Sequence, residues 1–548
     1  MLLSYSYTHK KTQAGTGYYT ACPDAQYSFE ELVEESAERP NDTFLHRHLL
    51  QTVLAMPPAQ LRSLCEKENR PFQPLLYEAC QLRGCTDLLP HCSKECLRLS
   101  PLGEIQALLT DSKERRAVNA CIQQNREYLV PYTDLPTLYP KTLLEEWAKA
   151  FSPKRPLRSL EDFAGKDAPM PCNIYLEATD ALREAGLLGG KEMRHEASLA
   201  PIALLRDWKV DVTVKSHRNT YTLAGMARAY GRGLSIAQAR ISLSMEILER
   251  ASSYVSVDDD RVFDRKTPLA LVRKSVAELA GTAFVEPNSL SGSSVKRDCV
   301  FTWLAAQTPM GTNVLVPAQA VVLFPNFDEP DLFASPSSTG LASGATLAQA
   351  KLAALLEIVE RDAEASMPSS WEKCFRLRAA NPHLQALFDA YQDQGICVYV
   401  QEKTQEFGIP VFQAFVRMRD GRIVGAHACK LSAQNAVLAA ITEVAWPFSP
   451  STRAANPTAP YEKDVPVRLF EELPTVHPTS FAQALAFVED RLACFGLCPL
   501  YVDLSREDMP FPVVRAIIPG LDVACDHDPL ATPSKRLLAR LCHGLGGA

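Results

Sequence analysis

The sequence predicts a protein of the α/β (α+β) class: a sheet-and-helix core built on repeated helices, preceded by an all-helical N-terminal domain. Three observations predict it. Segments of helical periodicity crowd the first 190 residues, strand-like apolar runs interleave with helices after residue 200, and one helix start recurs three times in that second part. A boundary near 190 follows, with 1–190 a helical accessory domain and 191–548 the sheet-bearing domain.

In chain order, helices are expected around 28–37, 42–55, 58–68, 73–83, 101–109, 112–128 and 141–150, punctuated by prolines at 57–58, 71, 131 and 153. They read as stacked helical hairpins, a surface suited to docking a partner or a substrate. Proline- and lysine-bearing residues 152–172 read as a linker. Gly186-Leu-Leu-Gly-Gly-Lys191 lacks P-loop spacing and has no Ser or Thr after its lysine, so it reads as a turn. Strand-like runs follow at Val210–Val214, Val300–Leu304, Val314–Leu323, Cys397–Val400, Val411–Val416 and Leu500–Val502.

The repeated helix start is the most informative local pattern. With Ala239, Ala350 and Ala436 aligned, a hydroxyl stands four residues earlier (Ser235, Thr346, Ser432) and an amide three residues after that (Gln238, Gln349, Asn435). A hydroxyl followed by an amide at N3 is a capping signature, so three equivalent helices are expected to start at about 235, 346 and 432. Glutamates Glu246, Glu357 and Glu443 follow each alanine by seven residues. The first two belong to E-x-x-E-R motifs, Glu246-Ile-Leu-Glu249-Arg250 and Glu357-Ile-Val-Glu360-Arg361; the third copy has Trp446-Pro447 instead.

On a helix, residues i, i+3 and i+4 share one face, so each motif presents two carboxylates and a guanidinium as a stripe. A single such stripe is most often a solvated face. The second copy, however, is flanked by Ala353, Ala354, Leu355 and Leu356 and contains Ile358 and Val359. A helix apolar around most of its circumference is buried, and buried charges must pair or coordinate. Two such helices face to face would set four carboxylates and two arginines around one cavity. Carboxylates suit Mg²⁺, and arginines suit phosphate oxygens.

The segment from Gly231-Arg-Gly-Leu-Ser through Ser242-Leu-Ser-Met-Glu246 to Arg250 resembles the first signature of YcaO-domain proteins, a G-K-G turn followed by S-x-x-x-E-x-x-E-R. Ser338 to Asp362 resembles the second signature. Ile409-Pro-Val-Phe, the segment from Gly425 to Glu443, and Pro512-Val-Val-Arg515-Ala-Ile-Ile-Pro519 are similar to the later blocks, in order. The resemblance runs from about 200 to 530. It implies a YcaO-like fold that binds Mg-ATP through the two motif helices and activates a peptide-backbone amide. In such proteins a nucleophile adds to the carbonyl, the oxyanion is phosphorylated, and loss of phosphate leaves an azoline, a thioamide or an amidine. One subgroup is an accessory factor in methylthiolation of a ribosomal protein.

Carried over residue by residue, the resemblance implies nucleotide contacts from Ser242, Glu246, Glu249 and Arg250 and from Gln349, Glu357, Glu360 and Arg361, with Arg515 reaching the same pocket. It gives Mg²⁺ to Glu246, Glu249, Glu357 and Glu360. It singles out no catalytic acid, base or nucleophile. This chain departs from the family pattern at Ala345, where Asn is common, at Gln349, where Glu is common, and at Arg232, which replaces the turn lysine. It also ends in His543-Gly-Leu-Gly-Gly-Ala rather than a proline-rich tail. Ala345 and Gln349 favour a rival reading, a non-catalytic YcaO scaffold that binds a protein or peptide client, while the tail argues against an azoline-forming cyclodehydratase.

Composition narrows the partners. A net charge of -7 and a pI near 6.0 give no electrostatic reason to expect nucleic acid. No apolar run is long enough to span a bilayer, and the start shows no signal-peptide pattern, so no membrane and a cytoplasmic location are expected. A peptide or protein substrate, a partner protein at the N-terminal helical domain, and a homodimer are compatible with this reading. The 16 cysteines are read as reduced thiols. Cys65, Cys80, Cys85, His91, Cys92 and Cys96 cluster in sequence, yet paired C-x-x-C knuckles are absent, so buried thiols are favoured over zinc. His217-Arg218-Asn219 reads as a hydrogen-bonded loop, and His427-Ala-Cys429 as strand packing.

Overall fold

The computed structural model describes residues 2–11, 17–66, 72–88, 94–291, 295–334, 337–446, 465–522 and 531–543. Pro71, His91, Cys92, Pro447 and the residues after His543 lie outside them. Over these described residues the chain folds as a mixed α/β protein with three sheets. The N-terminal part is helix-rich: Phe29–Glu38, Thr43–Ala55, Pro58–Glu66, Gln73–Arg83, Lys113–Tyr128 and Lys141–Ala148 form where periodicity predicts helices. A further helix, Ile174–Glu184, precedes the sheet region.

Periodicity of 3.6 does not reveal the hairpin that opens the chain. Strands Leu3–Lys11 and Gly17–Pro23 pair antiparallel, and the first pairs parallel with Asn219–Gly233, Leu3 opposite Tyr221. Leu3, Tyr5 and Tyr7 alternate along it and are buried, a period-2 pattern of only three positions. The hairpin edges a sheet whose centre is the long pair Ile202–Ser216 and Asn219–Gly233. Leu45, Leu49 and Val53 of the N-terminal helices share one core with Trp208, Tyr221, Ile247 and Leu248.

The second sheet orders Asn313–Pro317, Val300–Gln307, Leu500–Asp503, Val513–Ile517 and Leu341–Ser343. The third orders Ile423–Cys429, Val411–Arg417, Val398–Glu402, Cys374–Arg378 and Val467–Leu469. The run expected at Val314–Leu323 is a strand only as far as Pro317 and then turns as the 3₁₀ helix Ala318–Ala320. A proline has no N–H to continue a ladder. Residues 152–172 are packed along the helix Phe481–Cys494. The Asp167 carboxylate accepts from Phe481 N and Ala482 N at 2.9 and 3.0 Å, and Lys154 N donates to Cys494 O at 2.6 Å.

The three repeat helices are Ile236–Ser253, Leu347–Ser366 and Ala433–Glu443, with Ser235, Thr346 and Ser432 as N-caps. They belong to successive sheets and interlock. Ser343 Oγ of the second repeat donates to Met245 O of the first helix at 2.9 Å. The second helix packs on strand Ile423–Cys429 of the third repeat, and the third helix returns to strand Asn219–Gly233 of the first. The units therefore close into a ring, and the E-x-x-E-R faces look into it.

Candidate functional site at the centre of the repeat ring

The caps set the axial position of each helix. Ser235 Oγ accepts from Gln238 N, Thr346 Oγ1 from Gln349 N and Ser432 Oγ from Asn435 N, at 3.2 to 3.3 Å. Gln238 Oε1 and Gln349 Oε1 reach back beyond the cap, to Leu234 N at 3.0 Å and Ala345 N at 2.8 Å. Gln349, a candidate ligand by resemblance, thus has its oxygen engaged in the cap. Helix Phe481–Cys494 uses the same device, Ser480 with Gln483. Its S-x-x-Q spacing was available in the sequence, but no charged motif follows it.

The carboxylates are tethered by backbone donors. Glu246 Oε2 accepts from Tyr230 N and Glu357 Oε2 from Gly340 N, both at 3.1 Å. Gly340 sits at φ +81°, a left-handed conformation that glycine reaches without steric cost. Glu360 Oε2 accepts from Cys429 N at 3.0 Å, bridging the second helix to the third repeat. Arg250 Nε lies 3.6 Å from Glu249 Oε1 and 4.0 Å from Glu246 Oε1. Arg361 Nη1 pairs with Glu364 Oε2 at 3.0 Å. The two motifs share the E-x-x-E-R pattern, and the second adds Glu364, one turn further on, as a partner for its arginine. Ser242 is exposed, one turn before Glu246.

These groups form one electrostatic cluster. Glu249 feels Arg250, Glu357, Glu246 and Arg515, while Glu360 feels Glu443, Arg361, Lys430 and Glu357. Burial pushes both carboxyls up to about 8, and for Glu360 the neighbouring Glu443 adds to the rise. Burial also raises Glu246, Glu357 and Glu443. Yet Glu246 and Arg250 keep 29% and 27% of their side-chain surface accessible, so they line an opening rather than a sealed core. Arg515, on strand Val513–Ile517, is buried and donates to Ser337 O at 2.8 Å. Its Nε and Nη1 are buried without a hydrogen-bond partner, as is Arg232 Nε. Burial, with Arg250 adding to it, lowers Arg515 to about 10.

Beyond the two motif helices and Arg515, the cluster has a third side. Glu443, Lys430 and Arg232 close it, with Glu443 facing Lys430, Arg232 and Arg361. The repeated glutamate signalled Glu443; nothing in the motif signalled Lys430. Five carboxylates (Glu246, Glu249, Glu357, Glu360, Glu443) meet five cations (Arg232, Arg250, Arg361, Arg515, Lys430). Such a mixed set suits a ligand carrying both anionic oxygens and a hard cation. Among the described residues, no three His, Cys, Asp or Glu side chains converge closely enough to hold a metal by themselves. The unpartnered Arg515 and Arg232 donors fit phosphate oxygens, and the carboxylates fit Mg²⁺ shared with those oxygens.

Other expectations resolve nearby. His217 Nδ1 and Arg218 both bond Asp328, at 2.6 and 2.7 Å, holding a loop. His427 lies 3.9 Å from Glu364 and is lowered to about 4 by burial. Cys65 Sγ and Cys80 Sγ are 3.8 Å apart, and Cys80, Cys85 and Cys96 are free thiols. No helix among the described residues is long and apolar enough to cross a membrane.

The family model described as YcaO cyclodehydratase, ATP- and Mg²⁺-binding, matches residues 230–522, more than half of the chain. The chain belongs to the YcaO family, and ATP and Mg²⁺ are that family's ligands. It is 25% identical over 351 residues to an uncharacterised protein in the tfuA 3′ region of Rhizobium leguminosarum bv. trifolii, covering 57% of this chain and 80% of that one. A YcaO structure from Methanopyrus kandleri bound with AMPPCP and Mg²⁺ is similar at 18% identity and TM-score 0.45, over 66% of this chain and 94% of that one. A heterocyclase in complex with substrate and cofactor matches at 18% identity and TM-score 0.49, over 70% of this chain; the match spans only 56% of the heterocyclase.

Proposed function

We propose that this chain is a Mg-ATP-dependent enzyme that activates a backbone amide of a peptide or protein during its modification. The convergence of two E-x-x-E-R faces on Arg515, whose Nε and Nη1 are buried donors without partners, carries the reading. Bound Mg-ATP supplies the γ-phosphoryl group that turns an amide oxygen into a leaving group. The chain's own task is positioning and charge neutralisation, as is usual in phosphoryl transfer. Glu246, Glu249, Glu357 and Glu360 would hold Mg²⁺. Arg250, Arg361 and Arg515 would meet phosphate oxygens, and Ser242, exposed a turn earlier, would line the entrance. The helix-rich residues 1–190 would form an accessory domain that docks a partner. An accessory role in ribosomal-protein methylthiolation is a narrower form of the same function.

Calorimetry with Mg-ATP tests this. Glu357→Gln or Arg361→Ala is expected to weaken binding at least tenfold, in line with charge-assisted contacts worth about 1.5–3 kcal/mol each. Equal affinity in the native chain and both variants would refute the assignment. The second reading, a scaffold that binds a client without turnover, draws on Ala345 and on Gln349, whose side-chain oxygen already completes the cap. Nucleotide binding without phosphate release in the presence of any client would favour it.

A further inference from the structure

We propose that Lys430 is a catalytic residue of the third side of the ring, its ammonium meeting the γ-phosphoryl group as that group passes to the peptide amide oxygen. This rests on the nucleotide reading above and adds the acceptor side of the same site. The repeat itself motivates it. Six residues before the aligned alanines, the first two copies have Gly233 and Gly344 and the third has Lys430. Both glycines lie tight against the following helix. A Cβ on Gly233 would approach Gln238 Cβ to 2.6 Å, and one on Gly344 would approach Ala350 N to 2.5 Å. The third copy alone replaces this close approach with a long cationic side chain.

The backbone at Lys430 is fixed on both sides. Its own N–H donates to Pro410 O at 3.2 Å, and the preceding Cys429 N donates to Glu360 Oε2 at 3.0 Å. Lys430 is nonetheless exposed, and Glu443 beside it, crowded by protein on its other sides, also keeps an accessible face. The third helix also lacks the second carboxylate of the motif. At the position of Glu249 and Glu360 the third copy, whose helix ends at Glu443, has Trp446, buried at 2% exposure. This side of the ring therefore cannot copy the metal-holding pattern of the other two. It offers Lys430 and Arg232 instead, steadied by Glu443. Cations facing a space whose other walls would hold a metal-bound nucleotide are placed for the transferring phosphoryl group. In that step the bond from the γ-phosphorus to the bridging oxygen breaks, its electron pair leaving with ADP, while the bond from phosphorus to the amide oxygen forms. Lys430 transfers no proton in this step and acts through its charge alone.

Mg-ADP binding with and without orthovanadate, which mimics a phosphoryl group in transit, tests this on the full chain. Lys430→Met should leave Mg-ADP affinity within about twofold, yet weaken the vanadate-stabilised complex by roughly a hundredfold, the size of losing one fixed electrostatic donor. Lys430→Arg, which keeps the charge, should recover most of that loss. An unchanged vanadate complex in Lys430→Met would overturn the proposal, as would equal weakening with ADP alone, which would make Lys430 an ordinary nucleotide contact. Failure of the native chain to bind Mg-ADP at all would instead strike the nucleotide reading on which the proposal stands. Matching thermal midpoints for the variants exclude misfolding as the source of a loss.

Discussion

Lys403 is the most perturbed cation outside the ring. It is fully enclosed, donates to Met367 O at 3.1 Å and Ser369 Oγ at 2.7 Å, and is lowered from 10.5 to about 7, chiefly by burial. Its folded-state value lies below its unfolded one, so the unfolded chain binds the proton more tightly. Its contribution to stability is therefore fully present above the unfolded value and is lost as pH falls toward about 7. Lys403→Met should abolish this term. The thermal midpoint of the native chain minus that of the variant should fall between pH 10 and pH 7 and then level off; a difference independent of pH would show that the amine is not held neutral. Nothing in the sequence around Lys403 marks it. Its burial comes from strands and helices far apart in the chain, which local patterning cannot see.

At the scale of elements, the sequence was most legible where a local rule has a local cause. The three repeat helices begin at their hydroxyl caps because side chain and backbone within four residues decide the matter. Thr346→Ala should cost about 1 kcal/mol, seen as a lower midpoint in thermal denaturation. It should also loosen Mg-ATP binding if the cap sets the height of Glu357 and Glu360 in the ring; unchanged affinity would show that the helix is fixed by packing alone. The opening hairpin was illegible for the opposite reason. Three alternating apolar residues make a weak period, and the parallel partner that joins the hairpin to the sheet lies more than two hundred residues away. The extent of the charged cluster was only half visible, because Glu443 repeats the pattern whereas Lys430 breaks it.

Across the whole molecule, the C-terminal helix Lys535–Cys542 is tied to the back of the second motif helix. Arg536 Nε donates to Asp362 Oδ2 at 3.0 Å, and both Arg536 and Arg540 pair with Glu406. Asp362 is wholly buried, immediately after Arg361, and also accepts from Asp522 N at 2.7 Å. Arg536→Met would take away that carboxylate's guanidinium partner, and removing one partner of a buried pair costs roughly 3–5 kcal/mol. The double variant Asp362→Asn with Arg536→Met should recover much of the loss in thermal denaturation; an additive loss would mean that the pair is not coupled. The first strand of the chain has a consequence for biosynthesis. Leu3 to Tyr7 meet their parallel partners at Tyr221 to Gly225, so this apolar ribbon finds its place in the sheet only once more than two hundred further residues have been made. Pairing over so long a separation is a late event in folding, so this sheet should be slow to regain its native state from denaturant.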